Sequence, residues 1–370
     1  MRRGENIYKR KDGRWEGRVK KGYQADGRIK YRYIYGKTFQ EVRTKLYSLK
    51  AYYLTNQTLR GDACIPFEEW SRIWLSEIQN DIKPSTFSSY QYKLSKYVFP
   101  YIGNTYLNEL TGESGKELLT KWLELGLAPS SMRVVVRIIS NCLNKAKDKK
   151  KINDNPFLEL KLPKTNPRKI RSLTRKEQSE LETIALTEKK NSGLPTYLAL
   201  YTGLRIGEIS ALRWSDIDFD RNIIHVNHTY QRISLNLNDR KTQLIIGSTK
   251  TNSGTRSVPV GQKLRKLLLN HRKNTQGSFV FSVNNRPVEP RLLTYHFHRI
   301  RKKCGLEDVH FHQLRHTFAT RYLEAQSDIL SVSALLGHAS TKLTLDTYAD
   351  SMMDQRIQVI YQMENTIKNN

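Results

Sequence analysis

Six side chains in the second half of the chain have the types and spacing needed to act on a phosphate group. They are Arg205, Lys250, His312, Arg315, His338 and Tyr348. Phosphoryl transfer without a metal ion or ATP requires cations at the non-bridging oxygens, a nucleophile, and a proton donor for the leaving oxygen. Two arginines, two histidines, a lysine and a tyrosine provide these groups. Nearby cations also favour the phenolate form of a tyrosine, whose pKa is otherwise about 10. The set therefore predicts a tyrosine that attacks a phosphate.

Each of these residues has an ordinary explanation when it is considered alone. Arg205, between two glycines, suits a surface arginine that begins a helix, and the chain contains 63 basic residues and 20 tyrosines. His312 and His316, four residues apart, also suit a zinc pair, but the HExxH motif is absent and no third ligand stands out. We therefore expect no metal and no other cofactor, and we give His310 and His316 structural roles. Only the six residues together favour phosphate chemistry.

The composition indicates nucleic acid as the source of that phosphate. The chain of 370 residues carries 63 basic and 35 acidic residues, a net charge of +28, and basic proteins bind nucleic-acid backbones whatever their sequence. An anionic membrane is the alternative, but no basic amphipathic helix, lipidation motif or apolar run of about 18 residues is present. Three widely spaced cysteines and the lack of a secretory signal predict a reducing cytoplasm.

The N-terminal residues predict a small DNA-binding domain at 1–60. Strands are expected at 7–9, 14–20 and 28–35, separated by Asp-Gly turns, and a helix is expected after Thr38. One helix covers only one face of such a sheet, so the other face is left basic and open, and a β-sheet can enter the DNA major groove. A merely solvated charged surface is the alternative. We expect DNA contacts from four residues: Arg14, Arg18, Lys20 and Arg32.

Polar residues 56–65 predict a linker to an all-helical domain at 66–160. This domain is expected to hold four helices and no cluster of candidate acid, base or nucleophile, so it suits a clamp on DNA. Ser85 is expected to cap the second helix, and Pro100 to stop it. A basic, proline-containing segment at 161–171 predicts a second linker.

The remaining residues, 172–370, carry the six candidate side chains. Glu208, one turn after Arg205, is expected to hold that arginine, and Gly337 is expected to end the helix before His338. Strands are expected near 244–249 and 256–260, as two arms of one hairpin whose mouth carries Lys250. Apolar residues at near-helical spacing in 350–370 predict a tail helix. The expected fold class is multidomain: a small three-stranded sheet plus helix (α+β) at the N-terminus, an all-α middle domain, and a mainly α, mixed α+β C-terminal domain.

At these residues the chain resembles the tyrosine recombinase, or phage integrase, family. The resemblance is carried by Thr202-Gly203-Leu204-Arg205-Ile206-Gly207-Glu208, Thr249-Lys250-Thr251, His312-Gln313-Leu314-Arg315-His316-Thr317, Leu336-Gly337-His338 and Tyr348. The plan of three domains is similar to that of integrases of temperate phages and conjugative transposons, with arm-type DNA-binding, core-binding and catalytic domains in that order. The ten-residue step from His338 to Tyr348 is one longer than the family's commonest pattern.

The resemblance implies a role for each candidate side chain. Tyr348 is implied to be the nucleophile that forms a 3′-phosphotyrosyl link. The two arginines are implied to clamp the non-bridging oxygens, and Lys250 to donate a proton to the leaving 5′-oxygen. The two histidines are implied to assist proton movement and to hydrogen-bond the phosphate. The implied partners are double-stranded DNA with core and arm attachment sites, three further copies in a homotetramer, an excision factor and a host DNA-bending protein. The tail helix is implied to dock on a neighbouring subunit.

Two other functions fit part of the same pattern. A type IB topoisomerase shares the residue set and the chemistry, although a separate N-terminal module and a clamp domain favour site-specific binding. A DNA-binding protein without catalysis fits the charge, but leaves the complete set of six residues unexplained. The sequence therefore favours a site-specific DNA recombinase that integrates and excises a mobile element.

Overall fold

The computed structural model of the protein describes residues 6–61, 63–164, 171–234, 242–248, 254–325, 328–338, 340–348 and 360–361. The chain divides into two compact units, the first of Met1–Pro167 with Ser234–Thr242 and the second of Arg168–Ile233 with Gln243–Asn370. Across the described ranges, no helix is both long enough and apolar enough to span a membrane.

A three-stranded antiparallel sheet and one helix begin the first unit. They are β1 (Ile7–Lys9), β2 (Trp15–Tyr23), β3 (Ile29–Gly36) and α1 (Phe39–Arg60), with β2 in the middle of the sheet. Val42 and Leu46 of α1 are fully buried. They lie so close to β2 that a Cβ atom at Gly17 would be 2.8 Å from Val42 Cγ1. The predicted sheet with one covered face is confirmed.

The predicted linker at 56–65 is wrong for its first five residues, because α1 continues to Arg60. Polar side chains do not by themselves end a helix. The helix ends at Gly61, which has φ +87° and donates its N–H to the carbonyl oxygen of Gln57 at 3.0 Å. A positive φ of this kind is accessible to glycine at little cost.

Residues 63–164 are mainly helical, as the sequence predicts. The helices are α2 (Phe67–Ile78), α3 (Pro84–Tyr97), α4 (Phe99–Ile102), α5 (Gly112–Glu124) and α6 (Pro129–Asp148). They are five rather than the four expected, because a short helix, α4, follows α3. Tryptophans anchor the core: the Trp70 indole donates to the Cys142 carbonyl oxygen at 3.1 Å, and the Trp122 indole donates to that of Tyr97 at 2.7 Å. Their rings are thus buried without an orphaned N–H group.

The predicted cap of α3 is wrong. Lys83, not Ser85, holds the N-cap position, because Pro84 is the first helical residue. Proline suits that position, since its φ is already helical and its missing N–H has no partner there. Pro100 follows the end of α3 and lies in the first turn of α4.

The second unit is mainly helical and includes short strands. Its helices are α7 (Arg175–Thr187), α8 (Leu194–Thr202), α9 (Ile206–Ala211), α10 (Gln262–Lys273), α11 (Pro290–Lys303), α12 (Phe311–Glu324), α13 (Ile329–Leu336) and α14 (Thr341–Tyr348). Its strands are β4 (Ile217–Asp218), β5 (Ile223–Val226), β6 (His228–Ser234), β7 (Thr242–Ser248), β8 (Arg256–Pro259), β9 (Ser282–Val283) and β10 (Arg286–Pro287). The most buried helix is α8, whose Tyr197, Leu198 and Ala199 are fully inaccessible. The predicted fold class is confirmed.

The strand pairing differs from the predicted hairpin. In the described residues β7 pairs with β6, whereas β8 pairs with β5, with Ile224 opposite Val258. The two arms expected to form one hairpin therefore lie in different sheets. Strand periodicity identifies which face of a strand is buried but does not identify its partner.

Candidate active site

Arg205 lies where the chain turns sharply between α8 and α9. Gly203, directly after α8, has φ +62°, and a Cβ atom there would be 2.6 Å from Phe318 Cδ1. Glycine meets both conditions, because it tolerates a positive φ and has no side chain to clash. Arg205 then occupies the N-cap position of α9 with 40% of its side chain exposed. The predicted loop-to-helix position is confirmed.

Glu208, one turn later, holds Arg205 as the sequence suggests. Its Oε1 accepts from Arg205 Nη1, and its Oε2 accepts from the Arg205 backbone N–H, both at 2.8 Å. Arg256, the first residue of β8, donates to the same two oxygens at 3.2 and 2.9 Å. Burial alone would raise the pKa of the Glu208 carboxyl, but the two arginines outweigh burial and lower the pKa. Glu208 is therefore ionised at neutral pH.

Arg315 connects the two segments that carry Arg205 and His338. It lies on α12 and is 2% exposed. Its Nη1 donates to the carbonyl oxygen of Gly203 at 2.8 Å, and its Nη2 donates to that of Leu336. Carbonyl groups at helix ends lack a partner within the helix, so a buried cation suits them. Each carbonyl group stands two residues before a candidate side chain, so Arg315 fixes both segments at once.

His338 follows the end of α13. Gly337 has φ +64° and ends the helix, as the sequence predicts. His338 Nδ1 lies 2.8 Å from Oγ1 of Thr344, which is one turn before Tyr348 on α14. Burial, followed by the charges of the two candidate arginines, lowers the pKa of His338 to about 4. Its imidazole is therefore neutral at neutral pH.

His312 lies on α12, one turn before Arg315. Burial and then the charges of Arg315 and Arg205 lower its pKa. Its ring is perpendicular to that of His316, with centroids 4.9 Å apart. His316 is 8% exposed, and burial, then His312 and Arg315, lowers its pKa to about 4. His310 is the N-cap residue of α12, a structural position.

The side chains of two candidates and most of the tail lie outside the described residues. Lys250 lies outside the described residues, between β7 and β8 in the sequence. Tyr348 is the last residue of α14, but its side chain is outside the described part of the chain. The predicted tail helix at 350–370 also lies outside it, apart from Ile360 and Tyr361, which are exposed. The structure thus brings four candidates together: Arg205, His312, Arg315 and His338.

The four described candidates form a cationic site with neutral imidazoles. The two guanidinium groups keep their charge at every physiological pH, and their fork of donors matches the oxygens of a phosphate. A neutral imidazole can donate a hydrogen bond through one nitrogen and accept a proton at the other. The arrangement can therefore bind a phosphodiester, stabilise charge that develops on its oxygens, and move a proton beside it.

The open face of the N-terminal sheet combines basic residues with tyrosines. Arg18 pairs with Tyr33 and Lys20 pairs with Tyr31 across β2 and β3, and directly paired residues share a face. The Arg18 guanidinium lies 5.1 Å from the centre of the Tyr31 ring, and Tyr33 is 48% exposed. Stacked arginine and exposed tyrosine are side chains that contact nucleic acid bases and phosphates.

Arg14 and Arg32, the other two predicted DNA contacts, have different surroundings. Arg14 precedes β2, donates to the Asp12 carboxylate at 3.1 and 2.8 Å, and lies 5.7 Å from the centre of the Tyr35 ring. Arg32 pairs with Val19, which is buried on the side that α1 covers. Register therefore places Arg32 on that side of the sheet and not on the open face, although its own side chain is exposed. Strand register, which the sequence leaves undefined, decides the face of each residue.

Arg256 is a site residue that the sequence does not reveal, since its pattern predicts only a strand at this position. Its side chain is 5% exposed and bonds Glu208 across 48 positions of sequence. Among 63 basic residues, no periodicity distinguishes a buried arginine from an exposed one. The available signal was Glu208 itself, because a buried carboxylate needs more than one partner.

Two family models match the chain. The phage integrase family matches residues 171–355, and the phage integrase N-terminal SAM-like domain matches residues 66–123. A tyrosine recombinase XerC-like protein of Caldanaerobacter subterraneus subsp. tengcongensis is 24% identical over 379 aligned positions, which cover 92% of this chain and 93% of the relative. The ICEBs1 integrase of Bacillus subtilis is 23% identical over 310 positions, which cover 78% of this chain and 80% of the relative.

Solved structures share the fold. The Tn1549 transposon integrase in complex with transposon right end DNA has a TM-score of 0.66 at 22% identity, over 79% of this chain and 99% of that one. The lambda integrase tetramer bound to a Holliday junction has a TM-score of 0.57 at 20% identity, over 92% and 97%. The catalytic family model alone spans 185 of the 370 residues (171 to 355), and the chain belongs to the phage integrase family, the tyrosine recombinases.

Proposed function

We propose that six residues perform the DNA cleavage and rejoining by which this tyrosine recombinase integrates and excises a mobile element: Arg205, Lys250, His312, Arg315, His338 and Tyr348. The Tyr348 oxygen attacks the scissile phosphorus, and the bond from phosphorus to the 5′-oxygen breaks. The phosphate keeps its bond to the 3′-oxygen of the DNA and becomes bonded to the tyrosine. Lys250 gives a proton to the leaving 5′-oxygen. Rejoining reverses these steps with the 5′-hydroxyl of the partner duplex, so the bond energy is conserved and no cofactor is consumed.

The observation that carries this proposal is the position of the Arg315 guanidinium between the carbonyl oxygens of Gly203 and Leu336. A single cation thereby orders both segments that present the other phosphate ligands, Arg205 and His338. Pre-organised positive charge at a phosphate lowers the barrier, because it need not reorient as charge develops on the oxygens.

The histidines complete the proton chemistry. Because the pKa of His312 is lowered and that of His338 is about 4, both rings are neutral before DNA binds. A neutral ring beside the attacking phenol accepts its proton, and the other donates a hydrogen bond to a phosphate oxygen. The contact of His338 with Thr344 supports a location near the nucleophile, since Thr344 and Tyr348 are one turn apart on α14.

A nicked suicide substrate made from the element's own attachment site tests the proposal. Wild-type protein should accumulate a covalent protein–DNA adduct, because the short strand beyond the nick diffuses away and prevents rejoining. Tyr348→Phe should bind the same DNA in a mobility-shift assay but form no adduct. Tyr295→Phe, at a tyrosine of α11 that is 59% exposed, is the matched control and should form the adduct at the wild-type rate. An adduct with Tyr348→Phe would remove Tyr348 from the role of nucleophile.

The topoisomerase alternative shares this chemistry and is separated from recombination by its DNA requirement. The face of the N-terminal sheet that carries arginine and tyrosine favours recombination, because relaxation of DNA alone needs no second DNA-reading surface. Plasmid without an attachment site should not be relaxed by the wild-type protein at concentrations that cleave the suicide substrate. Efficient relaxation of that plasmid would favour the topoisomerase.

We also propose the division of labour that the family resemblance implies. Residues 1–60 bind arm sites through Arg14, Arg18 and Lys20, residues 66–160 clamp core sites, and residues 172–370 catalyse. Four copies assemble on two duplexes, a proposal that the tetrameric lambda integrase on a Holliday junction supports. An excision factor and a host DNA-bending protein are the further proposed partners, and the tail helix docks on a neighbouring copy.

A further inference from the structure

Arg256 is a buried arginine without a role in the chemistry proposed above. It begins β8, its side chain is 5% exposed, and it lies six residues after Lys250 in the sequence. Burying a guanidinium is costly unless hydrogen bonds and an opposite charge compensate for the lost hydration. The partners of Arg256 therefore reveal what its burial achieves.

Those partners come from the first turn of α9 and the end of α13. Arg256 Nη1 and Nη2 lie 3.2 and 2.9 Å from the two oxygens of Glu208, a bidentate pair. Its Nε donates to the carbonyl oxygen of Leu335 at 2.6 Å. The next carbonyl group, that of Leu336, accepts from Arg315. Two buried arginines thus hold adjacent carbonyl groups at the helix end that precedes His338.

Glu208 transmits the effect of Arg256 to Arg205. Among the residues that the structure describes, the charged side chains against this carboxylate are those of Arg256, from β8, and Arg205, from its own helix. Only Arg205 has a substantial exposed fraction, 40% against 5% for Arg256, so it is the arginine that reaches a ligand. An ionised Glu208 fixes the position of the Arg205 guanidinium, whereas a protonated Glu208 would release it.

We propose that Arg256 is a positioning residue for strand cleavage, which orients Arg205 through Glu208 and the turn before His338 through the Leu335 carbonyl group. The inference rests on the proposed contact of Arg205 with the scissile phosphate. Arg256 touches neither DNA nor the reacting atoms in this role. Its neutral replacement leaves Glu208 buried beside a single cation, where burial favours the protonated acid.

Single-turnover cleavage of the suicide substrate at saturating DNA tests the proposal. Arg256→Met should slow adduct formation on the order of 100-fold, the scale of a small misplacement of a catalytic group, while core-site affinity changes much less. Its rate should recover as pH rises from 6 to 8.5, because Glu208 then ionises without Arg256. Arg256→Lys, which keeps the charge but loses the fork, should restore the wild-type pH profile at an intermediate rate.

Arg321→Met is the matched control. Arg321 also bonds a glutamate, Glu324 at 2.7 Å, and a backbone carbonyl oxygen, that of Leu173 at 2.6 Å, but it does not contact Glu208. This variant should match wild type in pH profile even if its melting temperature falls. If Arg256→Met and Arg321→Met lose rate equally, with unchanged pH profiles, Arg256 is only structural and the proposal is wrong.

Glu208→Gln provides a second measurement if Arg256→Met folds poorly. Adding Arg256→Lys to Glu208→Gln should slow cleavage by a smaller factor than Arg256→Lys slows it in the wild-type protein, because the part of the effect that passes through Glu208 is already lost. Fully additive losses would overturn the proposal. Failure of the proposed function is distinguishable, since either wild-type protein would then form no adduct, or it would form one that Arg205→Ala leaves unchanged.

Discussion

At the scale of single residues, the site is defined by which groups hold charge. Arg315 and Arg256 are buried cations bonded to backbone carbonyl oxygens and to Glu208, whereas His316 and His338 are kept neutral by burial and by the arginines beside them. Positive charge is therefore concentrated on groups that cannot titrate near neutral pH. We therefore expect the proposed attraction for phosphate to hold over the whole physiological pH range.

This distribution of charge predicts that acid destabilises the fold. His316 binds a proton near pH 6.5 when unfolded but near pH 4 when folded, so between these values the unfolded chain binds more protons. The free energy of unfolding should therefore fall as the pH is lowered from 6.5 towards 4, and His316 should contribute nothing above about pH 7.5. Urea denaturation at pH 5 and pH 7.5 measures the difference.

His316→Gln should reduce that difference, because a glutamine takes up no proton. His338 and His312 contribute in the same direction, so part of the difference should remain. His225→Gln, at an exposed histidine of β5, controls for the loss of one imidazole. An unchanged pH dependence in His316→Gln would show that the ring titrates alike in the folded and unfolded chain.

At the scale of elements, helix ends deliver the candidate side chains. Arg205 and His338 each come shortly after a glycine with positive φ, Gly203 after α8 and Gly337 after α13. Such a glycine ends the helix and turns the following residues away from its axis. Arg315 bonds close to both ends, so the site depends on the conformation of these two turns.

Gly203→Ala should destabilise the protein by about 3 kcal/mol, combining left-handed backbone strain with overpacking against Phe318. The added methyl group would lie 2.6 Å from Phe318 Cδ1. Urea denaturation measures the loss. Gly261→Ala, where a Cβ atom meets nothing within 4 Å and φ is −67°, should cost about 1 kcal/mol or less. Equal losses in the two variants would contradict the requirement for glycine at 203.

Local patterns predicted the parts of the fold that depend on neighbouring residues. The spacing of Glu208 after Arg205 and the glycine before His338 are local signals, and the structure confirms both. The partner of β8, the face of Arg32 and the bond from Arg256 to Glu208 depend on strand register and on contacts distant in sequence. The partner of β8 was mispredicted, and the other two features were not foreseen, because periodicity carries no information about pairing partners.

At the scale of the whole molecule, a charge of +28 is distributed over parts for which we propose different tasks. Arg18, on the open sheet face, should contact arm-site DNA, whereas Arg32 is on the face that α1 covers. Arg18→Ala should weaken arm-site binding and reduce the slope of log affinity against log salt by about 1, the effect of one lost phosphate contact. Titrations of arm-site DNA at several salt concentrations measure both quantities.

Arg32→Ala is the matched control, since it removes the same charge from the same sheet. It should leave the salt slope unchanged, and neither variant should alter cleavage of a suicide substrate that carries only the core site. If both variants weakened arm-site binding equally, general charge rather than the open face would account for the affinity.

The most direct test of the central claim is to identify the residue that becomes bonded to DNA. Trypsin digestion of the trapped adduct releases residues 343–356, a peptide whose single tyrosine is Tyr348, whereas Tyr322 and Tyr361 fall in other peptides. Mass spectrometry after nuclease digestion should find a 3′-linked nucleotide on Tyr348 and a free 5′-hydroxyl on the released strand. A nucleotide on Tyr322 or Tyr361, or a 5′-linked phosphate, would contradict the proposed mechanism.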